Sequence, residues 1–182
     1  MQFKPLSAEY ISQAISLYEQ AFPIEERRES SKWIILCKNK PYFHIQVITD
    51  DKNTFVGIIT HWDFRNFIYI EHFAISSSLR NKGYGSKAIS FFVNQFPNIP
   101  IILEVELPHT PIAIKRIDFY KRHHFELLPY EYKQPPYRHN EKETPLKIMC
   151  LNTNDISNKY ANFVKTIHQE VYNVKRNKHT FL

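Results

Sequence analysis

Glycine is scarce in this chain: 182 residues contain three, Gly57, Gly83 and Gly85. Cysteine is scarcer still. Cys37 and Cys150 lie far apart, and two thiols supply neither a disulfide framework nor the four ligands of a structural zinc site, so they read as buried thiols and no metal is expected. No apolar run reaches the roughly 18 residues that span a bilayer. The opening Met1-Gln2-Phe3-Lys4-Pro5-Leu6 has no apolar stretch of the signal-peptide kind, so a cytoplasmic protein away from membranes is expected. Repeats and low-complexity segments are absent. So are Gly-x-Gly-x-x-Gly after the first strand and Gly-x-x-x-x-Gly-Lys-Ser/Thr. Their absence excludes the nucleotide folds that set a glycine loop behind their first strand.

What is present is ample apolar material. Hydrophobic residues make up 43% and aromatics 15% of the chain, enough for one core in one domain. The net charge of +6 suits nucleic acid, a small polyanion such as a phosphorylated cofactor, or a merely solvated lysine-rich surface. No five consecutive residues are basic. The densest cluster, Lys175-Arg176-Asn177-Lys178-His179, reads as a frayed tail.

The order of elements follows from periodicity. Residues 2–6 read as a strand, and Ser7 is placed to cap the helix that follows. That helix carries Ile11, Ala14, Ile15, Tyr18 and Phe22 on one stripe and stops at Pro23. A charged bend, Glu25 to Glu29, leads to a second helix around Ser31–Cys37. Strands are expected at about 42–49, 54–64 and 66–76, joined by short turns at Asp50–Asn53 and Arg65-Asn66, hence antiparallel. A loop over Ser76–Lys82 precedes a helix over Gly85–Gln95 and a strand over 100–106. Strand, crossover helix, strand makes 66–76 and 100–106 parallel neighbours. Thr110-Pro111 opens a helix to about Arg122. Two strands, Phe125–Leu128 and Leu146–Leu151, flank a long loop, Pro129–Pro145. A last helix over roughly 155–175 sets Ile156, Tyr160, Phe163, Val164, Ile167, Val171 and Val174 on one stripe.

Two of the three glycines sit two residues apart at a strand-to-helix junction. Glycine permits positive φ and a close ligand approach. A helix N-terminus offers free N–H groups and a favourable dipole to an anion. Arg80, Lys82 and Lys87 add positive charge. The junction therefore reads either as a pyrophosphate cradle or as a tight turn without a ligand.

The segment Arg80-Asn81-Lys82-Gly83-Tyr84-Gly85 resembles the Arg/Gln-x-x-Gly-x-Gly/Ala motif of GNAT N-acetyltransferases. It follows the strand Tyr69–Ile75 and opens a helix, as in that family. Arg116 to Phe125 resembles the family's second signature, a tyrosine ahead of a Gly-Phe pair, with His124 standing where glycine is usual. The resemblance covers about residues 1–151, with 152–182 as a helical extension. It implies an α/β (α+β, three-layer) fold: a mixed, mostly antiparallel sheet whose central parallel pair splays around acetyl-CoA. Backbone groups of Phe73, Ala74 and Ile75 would hold the pantetheine arm, and an N–H near Ile75 would polarise the thioester carbonyl. N–H groups from Asn81, Lys82, Gly83, Tyr84, Gly85 and Ser86 would hold the pyrophosphate. Arg80, Lys82, Lys87 and Arg116 are candidates for the remaining phosphate.

The implied acceptor is an amine on a small molecule or a peptide, attacking acetyl-CoA directly in a ternary complex. Such an amine needs a proton acceptor, and the departing thiolate needs a donor. Tyr120 matches the family's acid; equally, it lies with Ile117 on one helical face and reads as a core aromatic. The base is expected at Glu104 or Glu71, with His72 and His61 in reserve. Alternation puts Glu71 on the face of Tyr69, Phe73 and Ile75, and Glu104 on that of Ile102. Burial there raises a carboxyl toward the range of a base, or a neighbouring N–H or lysine satisfies it structurally. Glu25, Glu26, Trp33, Trp62, Tyr130, Tyr132 and Tyr137 are candidates for the acceptor pocket. An inactive acyl-CoA-binding module remains an alternative, and a nucleic-acid binder a weaker one without RNP-type motifs. Near-heptad spacing in the final helix suits a homodimer contact or packing back on the domain.

Overall fold

The computed structural model describes residues 1–138, 141–153 and 156–174. In chain order the elements are β1 (Gln2–Pro5), α1 (Ile11–Ala21), α2 (Ser30–Asn39), β2 (Phe43–Thr49), β3 (Phe55–Asp63), β4 (Ile68–Ile75), α3 (Tyr84–Val93), β5 (Ile101–Glu106), α4 (Pro111–Lys121), β6 (Glu126–Leu127), β7 (Tyr132–Gln134), β8 (Thr144–Leu151) and α5 (Ile156–Thr166). The strands form one sheet in the order β1-β2-β3-β4-β5-β8-β6, with β7 also on β8. All pairs are antiparallel except β4 with β5. This is the expected mixed α/β architecture. Helices α1, α2 and α5 cover one face with Tyr18, Trp33 and Phe163. Helices α3 and α4 cover the other with Ile89, Phe92 and Ile117.

The parallel pair separates soon after it forms. Ile68, Tyr69 and Ile70 pair with Ile101, Ile102 and Leu103, and the ladder ends there. Beyond it β4 continues alongside β3 to Ile75, while β5 continues alongside β8 to Glu106. A β-bulge lies at the divergence. His72 pairs with Thr60 and Ile70 with His61, so Glu71 has no partner on β3. A bulge bends its strand and sharpens its twist, and here it bends β4 away from β5. Gly57 holds β3 against the bent segment: a Cβ there would lie 2.3 Å from the Ala74 carbonyl oxygen.

Several boundaries depart from the sequence expectations. Ser7 does not cap α1; its carbonyl accepts the Tyr10 N–H at 3.1 Å in a preceding turn, and Tyr10 takes the cap position without a side-chain bond. The loop Pro129–Pro145 contains β7, which pairs Tyr132, Lys133 and Gln134 with Leu146, Pro145 and Thr144. Three residues before a double proline carry too short a pattern to read as a strand. The loop before α3 contains a 3₁₀ turn, Ser77–Leu79. The last helix is α-helical to Thr166 and then widens into a π-turn, Ile167–Val171. Asp155 and the Lys175–His179 cluster lie outside the described residues. Among those described, no helix is long and apolar enough to cross a membrane, and no His/Cys/Asp/Glu group could hold a metal.

Thr110 caps α4 through its hydroxyl to the Ala113 N–H, with Pro111 in the first turn, as expected. At the other end, the Phe125 N–H reaches the Tyr120 carbonyl (3.1 Å) and the His124 N–H reaches that of Lys121 (3.0 Å), a Schellman motif. The Tyr120 and Phe125 rings meet at 5.5 Å, the hydrophobic contact that accompanies the motif. His124 thus does the work of the usual glycine at φ 66°. A left-handed non-glycine residue costs about 1–2 kcal/mol, partly offset by glycine's greater chain entropy. His124→Gly should therefore stabilise the protein by about 0.5–1 kcal/mol and raise Tm by about 2 °C. An unchanged or lower melting temperature would refute this account of the cap.

Candidate functional site

A cleft of about 420 Å³ opens where β4 and β5 diverge. One wall is the edge of β4 past Ile70, where Phe73, Ala74 and Ile75 line the space without ladder partners on β5. At its end stands the N-terminus of α3. Gly83 occupies the cap position at φ 80°, and no side chain caps the helix. The N–H groups of Tyr84, Gly85 and Ser86 in the first turn therefore have no intrahelical partners. A Cβ on Gly83 would meet nothing within 4 Å, so the demand for glycine there is conformational and the space above it is open. Asn81 is also left-handed, at φ 60°. At Gly85 a Cβ would touch Phe119 at 3.6 Å, an ordinary contact, so packing does not demand glycine there.

The cations around this loop are placed more specifically than charge alone suggested. Arg80 Nε donates to the Ile75 carbonyl at 3.0 Å and braces the loop against β4. Lys82 Nζ donates to the Ser78 carbonyl at 2.9 Å. Arg116 is ion-paired with Glu106, and both line the cleft.

The two carboxylates meet on one face of the sheet. The bulge changes the phase of β4, so Glu71 shares the face of Tyr69 but not of Phe73 and Ile75. Phe73 instead stacks toward Phe119 of α4, and Glu71 and His72 both point toward α1 and α2. The strict alternation expected from the sequence fails at this one residue. Glu104 does lie on the face of Ile102, as expected.

Their environments differ sharply. The Glu71 side chain is fully buried and ion-paired with Arg28. It also accepts from Trp62 Nε1 at 2.8 Å and from the Tyr137 hydroxyl at 2.9 Å. Burial pushes its carboxyl up, but the Arg28 guanidinium, His72 and these bonds outweigh it and hold the group below its ordinary value. Arg28 is itself fixed by the Val171 carbonyl at 2.6 Å and by the Tyr137 ring at 4.7 Å. Among the described residues no cation pairs with Glu104. It accepts from Tyr132, from Gln134 Nε2 at 2.6 Å and from the Tyr172 hydroxyl at 2.9 Å. Burial dominates and raises its carboxyl, the neutral donors pulling only partly the other way. Glu104 keeps part of its surface open and lines the cleft.

Tyr120 reaches the cleft from the opposite face, at the end of α4. Its hydroxyl has no hydrogen-bond partner among the described residues. Burial pushes it up to about 12, so it stays protonated at neutral pH. Of the acceptor-pocket candidates, Glu26 and Tyr137 line the cleft, whereas Glu25 is exposed away from it. Trp33 is buried against Tyr18 at 4.2 Å, Trp62 is buried beneath Glu71, and Tyr130 stacks on Tyr160 at 4.5 Å. Tyr132 belongs to the Glu104 cage. His72 is held by Thr60 and the Glu26 carbonyl and lines the cleft, whereas His61 packs against Phe92 away from it; both are buried. Sequence reasoning missed Arg28, Gln134, Tyr69 and Tyr172. A carboxylate in an apolar strand signals that a partner exists, but not which of 24 cations or 11 tyrosines supplies it.

Residues 9–125 match the model of the "Acetyltransferase (GNAT) family". A solved structure described as a "Putative acetyltransferase from GNAT family" from Bacteroides thetaiotaomicron is 35% identical, with TM-score 0.90 over 96% of this chain and all of that one. The "Putative acetyltransferase YjbC" of Bacillus subtilis strain 168 is 30% identical over 111 residues, 58% of this chain and 52% of that protein, so the chain spans about half the length of this curated relative. The fold also matches spermidine N-acetyltransferase of Vibrio cholerae in complex with CoA and spermine, at TM-score 0.63 and 13% identity over 82% of this chain and 94% of that one.

The Arg28–Glu71 pair makes a stability prediction. Because the folded carboxyl is lowered, its contribution is fully present above the ordinary carboxylate range and is lost as pH falls through the folded value. Arg28→Met strands a buried anion and should cost about 3–5 kcal/mol at pH 7 by denaturant unfolding. The deficit should shrink at acid pH, where Glu71 takes up a proton, and adding Glu71→Gln should recover most of it. A deficit independent of pH would mean that packing, not charge, carries the loss.

Proposed function

The chain belongs to the acetyltransferase (GNAT) family, and from that premise we propose that it is an acetyl-CoA-dependent N-acetyltransferase acting on a primary amine by direct attack. The observation that carries this reading is Glu104: a carboxylate without a cation, raised by burial, on the wall of the cleft opposite the free hydroxyl of Tyr120. A carboxylate raised by burial and a phenol that stays protonated, both lining one cleft, supply the proton acceptor and the proton donor that acid–base chemistry requires.

The residues fit the donor. The uncapped first turn of α3, the open space over Gly83 and the unpaired β4 edge suit a pyrophosphate followed by an extended, amide-bearing arm. Acetyl-CoA, when bound, supplies an acetyl group activated as a thioester. The N–H groups of Tyr84, Gly85 and Ser86 bind the phosphates. Main-chain groups of Phe73 to Ile75 orient the arm along β4. Glu104 takes the proton from the attacking nitrogen through a carboxylate oxygen. The Tyr120 hydroxyl gives a proton to the departing sulfur. Glu71 is ion-paired with Arg28 and shapes the site rather than serving as the base. Direct attack is favoured because neither cysteine lines the cleft to accept an acyl group.

Acetyl-CoA at 100 times its Kd should stabilise the protein by about 2.7 kcal/mol in a thermal-shift assay. Gly83→Glu should remove that shift by placing a side chain and a charge at the phosphates. In a thiol-release assay across an amine panel, Glu104→Gln should lower kcat by about 10²–10⁴ with the acetyl-CoA shift retained. Tyr120→Phe should also lower kcat and leave cofactor affinity nearly intact. Full turnover in Glu104→Gln would sink the base assignment. Stabilisation without turnover on any amine would favour an inactive acyl-CoA-binding module.

A further inference from the structure

The three donors to Glu104 converge from two places in the chain. Tyr132 and Gln134 come from β7, and Tyr172 from the residue after the π-turn. All three lie beyond the stretch matched to the family, residues 9–125. Of the three, Tyr172 makes the most contacts. Its hydroxyl is 2.9 Å from Glu104, 2.9 Å from Gln134 Nε2, 3.1 Å from the Tyr69 hydroxyl and 3.5 Å from the Tyr137 hydroxyl. Tyr137 in turn donates to Glu71. Two phenols, each donating to its own carboxylate, therefore stand side by side between Glu104 and Glu71, their hydroxyls 3.5 Å apart.

The local backbone explains how it arrives there. An α-helical course would keep residues 167–172 on the stripe that packs Phe163 against Phe67 at 4.7 Å. The π-turn inserts one residue, with the Tyr172 N–H returning to the Ile167 carbonyl. Ile167 and Val171 stay in the core, while the Val171 carbonyl accepts Arg28 and the Tyr172 hydroxyl reaches Glu104. The π-turn lies at the C-terminal end of the helix, where such turns reverse the chain out of the helical course.

We propose that Tyr172 is the positioning residue of the Glu104 carboxylate, so that the C-terminal segment sets the proton affinity and orientation of the base on the acceptor side. The inference rests on the acetyltransferase reading of the cleft. A phenol that donates to a carboxylate stabilises its charged form. The groups facing Glu104 are Tyr69 from β4, Tyr132 and Gln134 from β7, Tyr137 from the segment after it, and Tyr172; the other carboxylate on this face, Glu71, is ion-paired with Arg28. Tyr172 is thus a donor that can be removed without unbalancing a charge.

The test compares Tyr172→Phe with Tyr160→Phe. Tyr160 is a phenol on the same C-terminal segment, and its hydroxyl donates to the Glu131 carbonyl at 3.1 Å, away from the carboxylates. Losing one donor to the anion raises the proton affinity of Glu104. On the acid limb of the kcat/KM–pH profile Tyr172→Phe should lose roughly tenfold, and its profile should rejoin that of the natural protein at high pH. Tyr160→Phe should leave the limb in place. The same shift should be read without any acceptor, as the pH at which the protonated-carboxyl infrared band assigned by Glu104→Gln disappears. A Tyr172→Phe protein whose band and limb do not move overturns the inference, as does an equal shift in Tyr160→Phe. Absence of turnover in the natural protein, with the infrared shift intact, instead counts against the acetyltransferase reading and leaves the positioning role standing.

Discussion

One unpaired residue in the middle of a strand organises this molecule. The bulge at Glu71 ends the parallel ladder after three residue pairs and bends β4 from its neighbour. It also turns two successive side chains, Glu71 and His72, to the same face. Opening a sheet exposes backbone edges, and turning a carboxylate inward buries a charge. Each consequence is met locally. The exposed edge lies beside the free N–H groups of α3, and the buried charge is answered by Arg28 from the bend between α1 and α2. Gly57 permits the bent strand to stay against β3.

The two sides of the resulting cleft are built from different materials. One side is mostly main chain: a strand edge, a left-handed glycine and an uncapped helix turn. The other is mostly side chain, a cage of tyrosines and an amide around one carboxylate. Main-chain recognition tolerates sequence change so long as the conformation survives. The cage depends on individual hydroxyls, and most of these come from segments outside the family match. Within one fold, the main-chain side can therefore survive substitutions that would dismantle the cage.

The same division explains what could be read in the sequence. The helix start at Gly83 was legible because a left-handed glycine at a strand-to-helix junction is a local pattern, and the helix carrying Tyr120 was legible from its Thr110-Pro111 start. Alternation placed Glu104 on its face correctly, since β5 is regular. It misplaced Phe73 and Ile75 relative to Glu71, because a bulge shifts the phase of every later residue and leaves no mark in composition. Trp33 and Trp62 have the chemistry of pocket residues, yet the core uses them as bulk. β7 and the π-turn escaped notice because three residues, or one inserted residue, fall below the length at which periodicity can be measured. Arg28 and Tyr172 lie 43 and 101 residues from Glu71, at distances that tertiary structure alone determines.

The sheet also behaves as two plates joined along a short seam. One plate runs from β1 to β4 and the other from β5 to β6 and β7, and only the three pairs at Ile68–Ile70 join them through the backbone. At the far end the side chains stand in the order Glu71, Tyr137, Tyr172, Glu104, each tyrosine donating to its own carboxylate and the two hydroxyls 3.5 Å apart. The seam is a backbone ladder, whereas the far end is bordered by replaceable side chains. Substitutions there can re-gauge the aperture without removing a backbone bond of the seam.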